Sequence, residues 1–289
     1  MAKDEARVAV VTGASSGIGK EAAKALAAQG WRVIAHGRDP ARLAAAEVEI
    51  RAAAPGARVE MVQADLCLLS DTARLADRIL ALTGRVDALL NNAGGVRDRM
   101  IVTEEGNEAT FAGNHLGHFL LTRRLTPTLR ATAAVAGQGA VRIVNVSSRG
   151  HTICPALDWD DLQQTGDWAS AKAYGVAKLC NILFTRELAR RLGPAGVVAH
   201  AMHPGVVASN FASHGAPDMQ AYMAKAETIA PAEAADTLIW LATASEPGKT
   251  NGLYYQERQP VAPSSAALDA AAAERLWQES ETLLAHSGY

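Results

Sequence analysis

The sequence predicts one α/β domain, a doubly wound parallel sheet of about seven strands with helices on both faces. Three observations lead there. Short apolar runs alternate with longer helical stretches along all 289 residues, the pattern that crossover helices packed on a parallel sheet require. The first apolar run passes through Thr12-Gly13-Ala14-Ser15-Ser16-Gly17-Ile18-Gly19 straight into an Ala-rich stretch, which gives strand, glycine-rich turn and helix in that order. No change of composition marks a linker and no repeat is visible, so residues 1–289 read as a single domain, long enough for a full core.

The elements follow in order. Val8–Val11 is a β-branched strand, and the helix over 18–29 is closed by Gly30. The second strand, Arg32–Ala35, leads to Asp39-Pro40. Asp is favoured as a helix cap and Pro in the first helical turn, so a helix starts there and runs over 40–53. Strand Arg58–Gln63 precedes a helix over 70–83, which stops at Gly84; strand Ala88–Leu90 precedes a long helix over 107–131. Gly137 and Gly139 then punctuate the chain before strand Val141–Val146, and a helix over 170–192 ends near Gly193 and Gly196, where glycine closes helices. Strands Val197–Ala201 and Leu253–Tyr255 and helices over 231–244 and 272–285 complete the series. The Ala-rich tracts near 41–54 and 266–273 are helix formers.

Bulk properties narrow the function. Hydrophobic residues at 49% and charged residues at 20% describe an ordinary globular protein. A formal net charge of −2 with no basic block gives no reason to expect nucleic acid. Cys67, Cys154 and Cys180 lack C-x-x-C spacing and read as reduced thiols of a cytoplasmic protein, and the histidines show no metal-ligand spacing, so no metal is expected. The charged start of the chain and its strand-length first apolar run indicate neither a signal peptide nor a membrane span.

Two motifs carry chemistry. At a strand-to-helix turn, Gly13, Ser15, Ser16, Gly17, Ile18 and Gly19 let backbone N–H groups and the positive end of a helix approach a pyrophosphate. Further on, Ser147-Ser148 follows the fifth strand, and Tyr174 stands four residues before Lys178. That spacing puts the phenol and the ammonium on one helix face. A free phenol ionises near pH ~10; a nearby ammonium lowers that value and brings the phenol toward use as a general acid and base.

Taken together, Thr12-Gly13 to Gly19, Asp65-Leu66, Asn91-Asn92-Ala93-Gly94, Asn114, Ser148, Tyr174, Lys178 and His203-Pro204-Gly205 resemble the short-chain dehydrogenase/reductase family over nearly the whole chain. The segments 114–122 and 178–189 resemble its retinol-dehydrogenase-like branch, which also contains protochlorophyllide reductases. The resemblance implies a Rossmann-like sheet in the order 3-2-1-4-5-6-7. It implies that Tyr174 is the proton donor, that Lys178 lowers its pKa and holds the nicotinamide ribose, and that Ser148 rather than Ser147 bonds the reacting oxygen. Asn114 would hold a water that links Lys178 to solvent. Asp65 and Leu66 would face the adenine, Asn92, Ala93 and Gly94 the cofactor, and Pro204, Gly205 and Val207 the nicotinamide. Related enzymes pair the helices at 107–131 and 170–192 across a two-fold axis, which implies a homodimer or homotetramer unless the C-terminal part from Gly252 to Tyr289 covers that surface instead.

The second strand bears on the nucleotide. A site for NAD places an acid there, about 20 residues past the glycine loop; here His36 occupies that position and Arg38 follows. A guanidinium suits a 2′-phosphate, so NADP(H) is expected over NAD(H); the alternative is that Arg38 is solvated and Asp39 takes the ribose. The segments 149–169 (with Ile153, Leu157, Trp159, Leu162 and Trp168) and 206–228 (with Phe211, Met219, Tyr222 and Met223) should form the substrate pocket. Their large apolar groups point to a small lipophilic alcohol, aldehyde or ketone. The expected activity is therefore that of an NADP-preferring oxidoreductase. A catalytically silent nucleotide-binding or scaffold protein and a protochlorophyllide-type reductase are the alternatives.

Overall fold

The computed structural model describes residues 6–208, 211 and 215–289, of which 218, 219 and 222 are described as backbone only. Met219 and Tyr222 of the expected substrate pocket therefore lie outside the described side chains. In β1 (Val8–Val11), Val8 and Val10 face one core while Ala9 and Val11 face the other. This is the period-two alternation of a strand buried on both sides. Around it lie β2 (Arg32–Gly37), β3 (Val59–Gln63), β4 (Ala88–Asn91), β5 (Val141–Val146), β6 (Val197–Met202), β7 (Tyr254–Gln256) and β8 (Gln259–Pro260). They form one sheet in the order β3-β2-β1-β4-β5-β6-β7-β8, which contains the expected order and adds an antiparallel edge strand. The sequence hides that edge hairpin because its two-residue turn is Glu257-Arg258, both at positive φ (51° and 60°), where Asn-Gly is the usual signal. The turn is held by Arg258 N–H donating to Thr237 Oγ1 at 3.1 Å and by an ion pair between Arg258 and Asp236.

Helices α1 (Gly17–Ala28), α2 (Pro40–Ala53) and α3 (Leu69–Leu82) begin within a residue of where the sequence places them. Asp39 caps α2 by accepting from Arg42 N–H at 2.9 Å. The long helix expected over 107–131 is instead a short α4 (Ala109–Phe111), a π segment (Ala112–Leu116) and α5 (Gly117–Ala136). Asn114 accounts for the break. Its Nδ2 donates to the Thr110 carbonyl at 2.8 Å, taking the acceptor four residues back, so the backbone ladder widens there.

The remaining helices are α6 (Ser170–Leu192), α7 (Pro217–Lys225), α8 (Pro231–Thr243), α9 (Ser265–Leu268) and α10 (Ala270–His286). Of these, α7 falls within the segment 206–228 expected to help form the substrate pocket. The expected pairing of the helices at 107–131 and 170–192 with their copies meets α10 in the way. Trp277 packs edge-on against Phe119 of α5, ring centroids 4.9 Å apart, and also against Phe184 of α6. Arg191 lies 4.4 Å over the Trp277 ring, and Ser280 bonds His115 Nε2 at 3.1 Å. A second copy has no access to these apolar positions while α10 covers them. Among the described residues no helix is long and apolar enough to cross a membrane.

Candidate active site

The strand order reverses between β1 and β4, and in open α/β sheets the crevice at such a point takes the ligand. A cleft of about 760 Å³ opens there. It collects every predicted site residue from Gly13 to Val207 except Gly19. Gly19 lies beneath the loop, packed so closely on the Gly13 carbonyl and the Asn92 amide that a Cβ would overlap both.

The nucleotide half is a backbone cradle. Gly13 and Gly17 take positive φ (69° and 56°), and Ser16 precedes α1 without a side-chain cap bond. The first N–H groups of α1 are thus free for an anion. Thr12 Oγ1 accepts from the N–H groups of Asn92 (2.9 Å) and Ala93 (3.0 Å), and Asn92 Nδ2 donates to the Thr12 carbonyl at 2.8 Å. This ties the turn after β4 to the glycine loop. Behind it, Asn91 Nδ2 donates to Asn145 Oδ1, and Asn145 Nδ2 to Thr185 Oγ1, both at 2.8 Å. At the far end Arg38 stands 3.9 Å from Asp65, whose Oδ1 accepts from Cys67 N–H at 3.0 Å. Asp65 therefore closes a turn and does not cap α3.

In the chemical half, Tyr174 and Ser148 line the cleft together, near enough for the Ser148 hydroxyl to draw the phenol's titration down, and Ser148 Oγ accepts from Gly150 N–H at 3.1 Å. Ser147 Oγ donates to the Lys178 carbonyl at 2.7 Å and so is occupied away from the cleft. Lys178 Nζ donates to the Val146 carbonyl at 3.0 Å and lies 5.5 Å from the Tyr174 ring centre. Burial pushes Tyr174 up to about 12 and Lys178 down to about 8. The expected lowering of the phenol by Lys178 is thus absent in this arrangement, because loss of solvation dominates its titration. The Asn114 side chain is fully engaged: Nδ2 also donates to the Gly95 carbonyl (3.0 Å), and Oδ1 accepts from Gly95 N–H (3.1 Å).

Only part of the expected apolar pocket reaches the cleft. Ile153, Phe211 and Met223 line it, and Phe211 meets the Tyr174 ring edge-on at 5.1 Å. Leu157 and Leu162 lie in the core and Trp159 packs against it. Trp168 donates to buried Glu108 at 3.2 Å. The segment 149–169 is therefore mostly a buttress.

Residues 7–157 match the family profile described as short chain dehydrogenase. Human retinol dehydrogenase 13 is 36% identical over 288 residues, which is 96% of this chain and 84% of that protein. The chain belongs to the short-chain dehydrogenase family. A crystal structure of an uncharacterized protein from Mycobacterium paratuberculosis superposes with a TM-score of 0.74 at 33% identity, covering 96% of this chain and 92% of that one. The RhlG/NADP active-site complex of Pseudomonas aeruginosa gives a TM-score of 0.69 at 26% identity, covering 90% and 96%. The chain is thus an oxidoreductase by family. Its glycine cradle and free helix terminus fit the pyrophosphate of a nicotinamide cofactor.

Several residues of this short-chain dehydrogenase escaped the sequence reading. Arg42 joins Arg38 in lining the cleft, and Arg97 and Arg149 also line it. Arg42 was legible as a second cation one helical turn past Arg38; the other two carried no pattern. His36 was read only as a missing acid. In the structure its Nδ1 accepts from Gly13 N–H at 3.4 Å and its Nε2 donates to the Ala64 carbonyl at 3.0 Å. Burial holds it down to about 4, so it is neutral and pins the glycine loop to the end of β3.

Proposed function

We propose that this short-chain dehydrogenase interconverts a lipophilic alcohol and its aldehyde or ketone with NADP(H). The observation that carries the reading is that Ser148, Tyr174 and Lys178, the last one helical turn past Tyr174, line one cleft together. In reduction, Tyr174 donates its proton to the carbonyl oxygen while the Ser148 hydroxyl bonds the same atom; in oxidation, Tyr174 takes the proton back. Lys178 supplies positive charge beside the phenol and a donor for the nicotinamide ribose. Asn114 holds the Gly94-Gly95 turn in register with them, and a water on this helix would connect Lys178 to solvent. The nicotinamide, when bound, supplies or accepts the hydride. Val96, Ile153, Phe211 and Met223 give the substrate half its apolar wall, in keeping with the retinol named for the human relative. We place the protein in the cytoplasm because its three cysteines are unpaired.

The preference for NADP(H) rests on Arg38 and Arg42, which line the cleft just past β2, where the nearby acid, Asp39, is engaged as the cap of α2. Arg38→Ala is expected to weaken NADPH, and not NADH, by the ~1.5–3 kcal/mol of a charge-assisted bond. Fluorescence titration measures both, and equal wild-type affinities for the two nucleotides would remove the assignment. A panel of aldehydes and ketones with NADPH tests the activity; nucleotide binding with no turnover of any member would favour a silent binding protein.

A further inference from the structure

The cleft is far more positive than the chain that forms it. Arg38, Arg42, Arg97, Arg149 and Lys178 line it against one carboxylate, Asp65, in a protein of net charge −2. Clefts lined by one sign of charge concentrate ligands of the other. Arg38 and Arg42 lie at the adenosine end, and Lys178 serves Tyr174. Arg97 has its own anchors: its guanidinium donates to Cys67 Sγ at 3.4 Å and its carbonyl accepts from Ser170 Oγ.

Arg149 is different. It follows Ser148 directly and lines the cleft, and among the described residues no carboxylate pairs with it. Beside it the cleft wall holds His203, only 7% exposed, with its Nδ1 buried and without a hydrogen-bond partner. The Tyr254 hydroxyl, also buried, has no partner either. His203 and Tyr254 both feel the Arg149 charge. The acid whose field also reaches His203 is Glu257, which is exposed on the β7–β8 turn and bonded to Gln256. Buried polar atoms are nearly always paired. An orphaned His203 nitrogen on the cleft wall, with the Arg149 guanidinium on the same wall a residue away from Ser148, therefore marks a place that a ligand's polar atoms complete; Tyr254 does not line the cleft.

We propose that Arg149 and His203 form an anion subsite and that the substrate is an apolar carbonyl compound or alcohol bearing a carboxylate. This rests on the oxidoreductase reading above and adds to it the charge of the substrate. The carboxylate would accept charge-assisted bonds from the guanidinium and a bond from the neutral imidazole, while the apolar body lies against Phe211 and Ile153.

The test separates binding from turnover. The full chain saturated with NADP⁺, which cannot reduce a ketone, is titrated calorimetrically with 4-acetylbenzoate and with its methyl ester. The wild type is expected to bind the acid at least tenfold more tightly than the ester, and Arg149→Gln is expected to bring that ratio close to one. Arg97→Gln is expected to preserve the preference for the acid. Equal binding of acid and ester by the wild type would overturn the proposal. So would loss of the preference in Arg97→Gln but not in Arg149→Gln. Turnover of either ketone with NADPH, measured separately, reports on the oxidoreductase reading alone.

Discussion

Tyr174→Phe is expected to lower turnover of any reactive carbonyl by about 100- to 10,000-fold, the range of general acid–base catalysis. The change removes one hydroxyl and keeps the ring that meets Phe211 at 5.1 Å, so the fold and NADPH affinity should persist. A variant retaining near-wild-type turnover would show that the proton comes from elsewhere. The pH dependence follows from the same pair. With Tyr174 pushed up to about 12 and Lys178 down to about 8, the phenol keeps its proton throughout the neutral range and the ammonium is the first to titrate. A lowered lysine is charged below its pKa and neutral above it. In the direction of carbonyl reduction, kcat/KM, which reports the free enzyme, should be level below pH ~8 and fall above it as Lys178 loses its charge. A profile that is flat from pH 7 to 10 would separate Lys178 from the chemistry.

Gly19→Ala should be the most damaging single methyl in the nucleotide half. Its Cβ would collide with the Gly13 carbonyl and the Asn92 amide. Both are fixed by further bonds: Asn92 to the Thr12 carbonyl at 2.8 Å, Gly13 N–H to His36 at 3.4 Å. Neither can move without opening the junction between the glycine loop and the turn after β4. Overpacking of this kind costs about 1–3 kcal/mol, and the displaced loop should also lose its grip on NADPH. Gly84→Ala is the comparison, since a Cβ there meets nothing within 4 Å. Thermal melting and NADPH titration read both variants. Equal behaviour of the two would mean that the loop tolerates displacement.

The two variants also mark what could be read in advance. Local signals sufficed where chemistry is local. The cap at Asp39 with Pro40, the strand at Val8–Val11 and the order of strands and helices all reappear in the structure. Ser148, Tyr174 and Lys178 meet in one cleft because a four-residue helical spacing and a strand end place them. The failures have physical causes as particular as the successes. The Asn114 side chain diverts a backbone acceptor and turns an expected helix into a π segment. The eighth strand rests on Glu257 and Arg258 at positive φ, conformations that neither residue type advertises.

By itself the sequence determined the sheet and the glycine cradle, since each follows from periodicity or from spacing along one element, and its resemblance to the family named Ser148, Tyr174 and Lys178 as the candidate proton-handling group. Only the tertiary structure decided how those groups are solvated and which surfaces remain open. Burial from several elements at once raises Tyr174 and lowers Lys178, and Ser147 is set apart from Ser148 by a bond to the Lys178 carbonyl. Trp277 of α10 packs on Phe119 of α5 and Phe184 of α6, so that the C-terminal part covers this surface, one of the two arrangements the sequence allows. Arg149 and the unpartnered His203 line one cleft although they stand 54 positions apart in the chain. Solvation and charge at a point are sums over whatever packs around it, and spacing along a single chain does not contain those neighbours.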